Sequence, residues 1–542
     1  VNVLIMSGEY TTAAEHLEAI VAQDLEDVAA AALLCRTYSW VKDLKRAQAV
    51  FDRYLRKLDA SNEADQQLLA PVLLDIQKPR QALPLLERLS VRFPSQLLWA
   101  TSLVYCHQLL GNGERANKTV NQMMTLEPDV IDLRLHLVDQ LLSLRNYKLA
   151  LQVIEQVLRS NKDHAMARLT AARIQLEAYD VRRARDSLEA LKKDLGKERK
   201  YSLALAQLHQ LSGEWIVAQS IYESILVHQP GDDEVRINLA LLHREKGDLY
   251  KAKAELSKVE SDSPYGARAS LELASTLIAQ GDESMAASLC TKIMDSRPND
   301  VAPVLALTRA QMAMGNFDQA TATCQRFIQQ HPSDTMAIAQ ARSALGKSQL
   351  LTGNAVQVVR TFQMSIEEPS MHDPETYYGL ARARVRGIGA VGSEIARLSA
   401  GVVSSGGENR MRIELGKLAQ KNHDYTSATT YLTNVLRWQP SNTTALTLLG
   451  ESQNLALKAG EDVDPVRTFT SILEKFPSNT RARLGLARSY VIRREFKLAI
   501  AEYQAIIQQD SGYHFAKREY ARALFWDQRL TESFEVYQQL IS

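Results

Sequence analysis

The residues that could carry out chemistry in this chain are few and widely separated. The string GIGAVG at 387–392 has the glycine spacing of a loop that holds a dinucleotide pyrophosphate. Such a loop needs a buried strand before it and a helix after it, whereas residues 376–386 have a helical pattern. The string GKS at 346–348 resembles the end of a phosphate-binding loop, but Ala341 stands where its first glycine is required. We therefore predict no cofactor.

Histidine and cysteine are spaced like core residues rather than like metal ligands. His107, His209 and His243 recur in one slot, which indicates either packed histidines or a row that responds to pH. Cys290 and Cys324 lie 34 residues apart in a slot that other units fill with large apolar residues. We predict buried free thiols there, no metal site, no catalytic residue and no enzyme activity.

The composition limits the class of partner. The chain has 542 residues, and its 64 basic and 63 acidic side chains give a formal net charge of +1. A protein that binds nucleic acid through its overall charge is strongly basic, so we predict no nucleic-acid partner. No stretch approaches the run of about 18 apolar residues that a membrane span needs. The opening Val1-Asn2-Val3 suggests a segment that lacks its native N-terminus.

The elements that must position any site repeat along the chain. Alanines recur every 34 residues at Ala82, Ala116, Ala150, Ala184, Ala218, Ala252, Ala286 and Ala320. From Ala218 onward each has a glycine five residues before it and a proline twelve residues after it. A fixed period of this length is typical of a repeat array.

Residues 232–264 represent one unit. Apolar residues recur at intervals of three and four in both halves, which Gly247 and Pro264 close. Glycine supplies a left-handed helix stop, and proline cannot continue a helix. The pattern predicts two helices of about a dozen residues joined by a tight turn. A side chain as small as that of Ala252 lets the two helices cross closely.

The residues Leu239-Ala240, Gly247, Ala252 and Pro264 resemble the consensus of the tetratricopeptide repeat family. Eight consecutive units keep this register, although the consensus tryptophan and tyrosine of the first helix are mostly replaced. The resemblance implies an all-α fold, a right-handed α-solenoid of stacked antiparallel helix hairpins, with roughly 15 units here.

The resemblance also implies where a ligand binds, because the first helices of this family line a concave groove. The slot two residues after the recurring leucine faces that groove. Candidate ligand-binding residues in this slot are Tyr105, Asp139, Arg173, Gln207, Arg309, Lys417 and Arg488. Arginine suits a carboxylate, since its planar fork binds two oxygens at once.

One subclass of the family, the chaperone-binding co-chaperones, clamps a C-terminal carboxylate with lysine, asparagine and arginine in three successive units. Asn238 and Arg268 match two of those places, whereas Leu203, Gln207 and Glu272 occupy three others. Glu272 would repel the carboxylate, so the clamp function is not carried over.

The register divides the chain into three parts. Residues 1–369 form a regular hairpin array, 370–410 an irregular repeat or joint, and 411–542 the C-terminal hairpins. Within the irregular part, helices are predicted over 374–386 and 391–403. The step from Ala47 to Ala82 is 35 residues, which predicts a one-residue insertion in the linker 58–66.

The leading hypothesis is a non-catalytic scaffold that binds an extended protein segment in its concave groove and helps to assemble a multiprotein complex. The alternative is a periplasmic arm of a bacterial exopolysaccharide export system, with exopolysaccharide as the ligand. It rests on residues 521–540, which resemble repeats that precede outer-membrane barrels in polysaccharide-export proteins. The two hypotheses place the protein in the cytoplasm or in the bacterial periplasm, and the sequence leaves the compartment unknown.

Overall fold

The computed structural model describes most of the chain. The described residues are 1, 4–5, 10–41, 43–94, 96–110, 112–126, 134–135, 137–138, 141–142, 147–196, 198–261, 263, 265–331, 335–352, 355–367, 373–384, 394 and 408–541. Within them every regular element is a helix, which confirms the all-α prediction.

These residues hold 29 α-helices, numbered α1 to α29 in chain order. The first eight are α1 (Tyr10–Gln23), α2 (Val28–Trp40), α3 (Leu44–Val50), α4 (Glu63–Asp75), α5 (Pro79–Arg92), α6 (Leu97–Leu109), α7 (Gly113–Leu126) and α8 (Tyr147–Ser160). The next seven are α9 (Ala165–Glu177), α10 (Val181–Leu195), α11 (Arg199–Leu211), α12 (Trp215–His228), α13 (Asp233–Lys246), α14 (Leu249–Leu256) and α15 (Gly266–Gln280).

Six more follow before residue 385, and eight after residue 407. The six are α16 (Glu283–Ser296), α17 (Val301–Ala313), α18 (Phe317–Gln330), α19 (Thr335–Thr352), α20 (Ala355–Ile366) and α21 (Pro374–Arg384). The eight are α22 (Glu408–Lys421), α23 (Tyr425–Trp438), α24 (Thr443–Lys458), α25 (Pro465–Lys475), α26 (Thr480–Ile492), α27 (Phe496–Gln509), α28 (His514–Trp526) and α29 (Leu530–Ile541).

Consecutive helices pack as antiparallel hairpins, and the recurring alanine lies where the two helices cross. Its exposed fraction is 0% at Ala47, Ala82, Ala116, Ala150, Ala184, Ala218, Ala252, Ala286, Ala320, Ala428 and Ala499. A side chain without freely rotating atoms allows this close approach at little cost in conformational entropy. The predicted stack of helix hairpins is confirmed.

In ten of the hairpin turns that the structure describes, a left-handed residue lies between the two helices. Gly247 ends α13 with φ 87°, and its N–H donates to the carbonyl oxygens of His243 and Arg244. Glycine takes this conformation without a steric penalty. The same region is occupied by non-glycine residues in other hairpins, at Gln77, Tyr179, His423, Arg494 and Gln528.

The chain forms two compact units, each built from two separate stretches of sequence. Unit 1 comprises Val1–Lys162 and Thr291–Gly379, and unit 2 comprises Asp163–Cys290 and Leu380–Ser542. The division into 1–369, 370–410 and 411–542 remains a prediction. Most of 370–410 lies outside the described residues, as do the string at 387–392 and nearly all of the predicted helix 391–403, while α21 occupies most of 374–386.

In unit 2 the hairpin turns of the first stretch contact the helix starts of the second. Asn442 donates from Nδ2 to the carbonyl oxygen of Tyr179 at 2.8 Å, while its Oδ1 accepts from the N–H of Ala445 at the start of α24. Asn479 does the same for α26, donating to the Ser212 carbonyl at 2.7 Å. Each amide satisfies orphan backbone groups at two helix ends, one acceptor and one donor.

The third contact of this kind includes a buried charge. Tyr513 donates from its hydroxyl to the Lys246 carbonyl oxygen at 2.8 Å. The Lys246 side chain is itself 0% exposed. Its ammonium lies 2.7 Å from Asp510 Oδ2, 2.6 Å from Gln219 Oε1 and 4.4 Å from the centroid of the Tyr513 ring. A buried ammonium is tolerated only with such partners.

The extra residue between Ala47 and Ala82 was predicted in the linker 58–66, but a π-helical turn at Phe51–Leu55 extends α3. A π turn holds one residue more than an α turn, so it absorbs the insertion within the helix. Helix α14 has 8 residues rather than about a dozen. The string at 346–348, which was rejected as a phosphate-binding loop, lies inside α19.

The Lys246–Asp510 pair generates a prediction. We expect Asp510→Ala to destabilise the contact by about 3 kcal/mol, because the buried ammonium loses its counter-charge. The double variant Lys246→Met/Asp510→Ala should recover much of that loss. Hydrogen exchange measured by mass spectrometry should show faster exchange in α13 and α28 of the single variant.

The control is Asp462→Ala, which removes an exposed carboxylate elsewhere in unit 2. Its exchange should match wild type. Equal protection of the single and double variants would contradict the role assigned to the buried charge.

Candidate binding surface on the first helices

The hairpin geometry places the predicted ligand-binding slot at the edge of the core. In α13, Leu239 is 3% and Ala240 is 1% exposed, whereas Leu241, two residues after the leucine, is half-buried. The slot therefore lies just outside the buried pair Leu239-Ala240. Polar side chains in it reach the surface of the first helix.

Unit 1 contains three of the predicted slot residues. Arg309 is exposed, and its Nε donates to the Leu305 carbonyl oxygen at 3.4 Å. It forms no ion pair with a described residue. Tyr105 is half-buried, and burial, together with the charge of Asp75, raises the pKa of its hydroxyl. Asp139 lies outside the described residues.

Unit 2 contains the other four, of which Arg173 is the most open. Arg173 is exposed and forms no ion pair with any residue of the described part of the chain, while Gln207 is half-buried. Two other arginines on first helices form ion pairs. The guanidinium of Arg199 lies 2.8 Å from Asp232, and that of Arg244 lies 2.8 Å from Glu272 in the adjacent hairpin. Arg173 therefore keeps an uncompensated guanidinium on this surface.

Lys417 is engaged inside unit 2. Its Nζ lies 3.1 Å from Glu414 Oε1 and 3.2 Å from the Tyr179 hydroxyl oxygen. Burial opposes the ammonium charge, but Tyr179 and Glu414 outweigh it and hold the pKa of Lys417 above its ordinary value. Arg410 lies over the same Tyr179 ring at 5.7 Å. Lys417 thus helps to fasten the Tyr179 turn to α22.

Arg488 belongs to a basic patch at the C-terminal hairpins. The guanidinium carbons of Arg488 and Arg518 lie 5.0 and 5.1 Å from the centroid of the Phe515 ring. Arg522 lies 5.1 Å from the Trp526 ring and pairs with Glu519 at 3.1 Å. These distances are in the range of cation–π contacts.

Sequence reasoning missed Arg518 and Arg522 in this patch. Arg522 lies 34 residues after Arg488 and so occupies the same slot, which the repeat period alone could have identified. Arg518 could be found from the helical spacing of four between it and Arg522. The patch combines cations and aromatic faces on neighbouring first helices.

The three histidines of the recurring slot are in unlike surroundings. His209 Nδ1 lies 2.5 Å from Glu214 Oε2. His243 is 4% exposed, and burial together with Lys246 and Lys251 lowers its pKa to about 4. Burial also lowers the pKa of His107. Two of the three imidazoles are therefore packed and neutral near pH 7.

The four cysteines are free thiols in buried positions, as predicted. Burial raises the pKa of Cys35 and of Cys106 to about 12, which keeps both thiols protonated and unreactive at neutral pH. Among the described residues, no group of three or more histidine, cysteine or acidic side chains is placed to hold a metal ion. None of the described helices is long and apolar enough to cross a membrane.

Comparison with known proteins finds helical-repeat matches. A family model described as tetratricopeptide repeat matches residues 277–345, and a second model with the same description matches 135–202 and 466–514. Among solved structures, the crystal structure of the APC/C hetero-tetramer Cut9-Hcn1 is 16% identical, with 96% of this chain and 95% of that chain covered and a TM-score of 0.39. No curated protein matches in sequence.

The buried histidine generates a prediction about pH. The unfolded imidazole of His243 binds a proton near its ordinary pKa of 6.5, and the folded one only near 4. Between these values the unfolded state binds more protons, so stability falls as the pH drops. We expect a loss of up to about 3 kcal/mol between pH 6.5 and pH 4 from this residue.

The variant His243→Leu tests this pH dependence. Leucine should fit the position, because Leu277 occupies the same slot in the next hairpin and is buried there. Urea unfolding of wild type and variant should be compared at several pH values within the window. The stability difference should shift in favour of the variant as the pH falls. A difference that stays constant with pH would contradict the assignment.

Proposed function

Because the chain belongs to the tetratricopeptide-repeat family, we propose that it is a non-catalytic scaffold that binds an extended segment of a partner protein in a groove along its first helices and so helps to assemble a multiprotein complex. Stacked helix hairpins offer long binding surfaces of this kind and act in general as protein-interaction scaffolds.

The observation that carries the proposal is the state of Arg173 and Arg309. Both are exposed, both occupy the predicted slot on a first helix, and neither forms an ion pair with a described residue. A guanidinium in this state binds a carboxylate through two parallel hydrogen bonds without first giving up a partner. It therefore favours acidic side chains on the bound segment.

The basic patch of Arg488, Arg518 and Arg522 supports the same class of partner. Two of its guanidinium groups, those of Arg488 and Arg518, lie over Phe515. Arg518 and Arg522 share the Glu519 carboxylate, whereas Arg488 forms no ion pair with a described residue, so its N–H edge can bind a planar acceptor. An aromatic face beside a cation also accepts an apolar side chain of the bound segment. Lys417 is the least suited of the predicted residues, since Glu414 and Tyr179 already occupy its ammonium.

The export-arm alternative has no further support. It depends on the pattern at 521–540, and the repeat matches favour neither exopolysaccharide binding nor a periplasmic location. The same experiment tests both hypotheses if the material that co-purifies is analysed for protein and for glycan.

We expect the double variant Arg173→Glu/Arg309→Glu to lose the protein partner. Native full-length protein would be isolated after mild cross-linking, and bound proteins quantified by mass spectrometry. Reversal of the two charges should reduce recovery of the partner by about tenfold or more, because like charges would then face each other across the interface.

The matched control is Arg182→Glu/Arg326→Glu. These two exposed arginines lie on α10 and α18, the second helices of the same two hairpins, so the change in net charge is identical. The control should retain the partner. Equal recovery with both double variants would refute binding along the first helices, and glycan recovered without protein would support the export arm.

A further inference from the structure

A cavity of about 730 Å³ lies in unit 1, away from the first-helix slot. It opens between two consecutive second helices, α3 with its π turn and α5, and its floor is closed by α4. Its volume is within the range of sites that hold a ligand or an anchoring side chain. Nothing in the proposed function uses it.

The π turn lies directly at this cavity. The Arg56 N–H donates to the Phe51 carbonyl oxygen at 2.9 Å, which is the i to i+5 bond of a π turn. Phe51 and Leu55, the first and last residues of the turn, both line the cavity. In the described part of the chain this is the one π-helical segment. Such turns are rare and occur frequently at functional sites.

The floor of the cavity is apolar and well packed. It is lined by five buried side chains, those of Phe51, Leu55, Leu69, Leu73 and Leu85. The floor is therefore fixed by the core of the hairpins rather than by mobile surface side chains. An apolar group placed there would lose its contact with water without requiring the floor to rearrange.

The rim of the cavity is positively charged. Lys78 lies 4.8 Å from the centroid of the Phe51 ring, and Arg88 donates to the Ala60 carbonyl oxygen at 3.4 Å. Neither forms an ion pair with a described residue. The third cation, Arg56, is 77% exposed and lies 4.0 Å from Asp52, the one carboxylate of the rim. Three cations thus face one anion.

A second cavity, in unit 2, shows that this charge asymmetry is not general. It lies between α10 and α11 and has a volume of about 920 Å³. There Arg185 pairs with Glu214, and Lys192 and Lys193 share the rim with three acidic residues. A balanced rim gives no preference for an anionic partner.

We propose that the unit 1 cavity docks a second partner segment, one that inserts a bulky apolar side chain between α3 and α5 and lays flanking carboxylates on Arg56, Lys78 and Arg88. The apolar floor supplies burial. Charge complementarity, which selects acidic flanks, comes mainly from Lys78 and Arg88, the two rim cations that form no ion pair with a described residue. The array would then hold two segments at once, one on its first helices and one between second helices.

A displayed library of random peptides, panned on the whole chain, tests the proposal. Wild type should enrich peptides in which a large apolar residue is flanked by aspartate or glutamate. The variant Lys78→Glu/Arg88→Glu should not enrich them. In fluorescence anisotropy its affinity for the enriched peptides should fall by about tenfold or more.

Two further variants separate this site from others. The matched control Lys45→Glu/Arg80→Glu reverses two exposed cations on the same helices, α3 and α5, that do not line the cavity, and it should bind like wild type. Arg173→Glu/Arg309→Glu should also bind the peptides normally. Any one of three results would overturn the proposal. Wild type could fail to enrich acidic apolar peptides, Lys78→Glu/Arg88→Glu could enrich the same peptides as wild type, or Arg173→Glu/Arg309→Glu could lose binding.

Discussion

One contact, repeated along the chain, sets the geometry of everything else: the methyl group of the recurring alanine against the helix that it crosses. Eleven such alanines in the described residues have no exposed surface. A larger side chain at this point would separate the two helices and shift every residue packed on them. Since consecutive hairpins pack on one another, the spacing set at one alanine is passed to the next hairpin. The slots on the first helices keep a constant position for this reason.

A second constraint acts within unit 2, where side chains at the starts of some helices donate hydrogen bonds to backbone carbonyl groups at the ends of others. The last carbonyl groups of a helix have no partner within it. Those of Tyr179, Ser212 and Lys246 are reached by side chains at or near the starts of α24, α26 and α28, the helices of the second stretch. This contact engages Lys417, whose ammonium lies 3.2 Å from the Tyr179 hydroxyl oxygen. Arg173 takes no part in it and forms no ion pair with a described residue.

The sequence was sufficient for the parts of the fold that depend on neighbours within about forty residues. Alanine, glycine and proline at fixed intervals predicted the hairpins and the burial of the recurring alanines. They also predicted the left-handed turns at Gly213, Gly247, Gly281 and Gly315, and the structure has all of these features. The burial of Cys290 and Cys324 was predicted in the same way, because they occupy a slot that other repeats fill with large apolar residues. These features follow from local packing, and local packing leaves a periodic signal.

Contacts between distant stretches leave no such signal. Asn442 and Asn479 read as ordinary helix caps, and nothing in their spacing reveals that each also binds a carbonyl more than 260 residues away. For the same reason the engaged state of Lys417 was not predicted. The extra residue between Ala47 and Ala82 was placed in the linker 58–66 rather than in the π turn at Phe51–Leu55, because an extra residue in a repeat fits a linker or a helix equally well on sequence grounds. Asp139 and most of 370–410 lie outside the described residues, so the predictions made for them stand as they were.

The discontinuity of the two units also bears on biosynthesis. A simple repeat array can fold from its N-terminus as it leaves the ribosome, because each hairpin needs only the one before it. Here the carbonyl groups of Tyr179, Ser212 and Lys246 receive their hydrogen bonds only from side chains that are synthesised more than 260 residues later. At about 5–20 residues per second, that interval exceeds ten seconds of synthesis. During this interval the surface of residues 163–290 that later contacts the second stretch is exposed on the nascent chain. We expect chaperones to bind this surface until the second stretch has been synthesised.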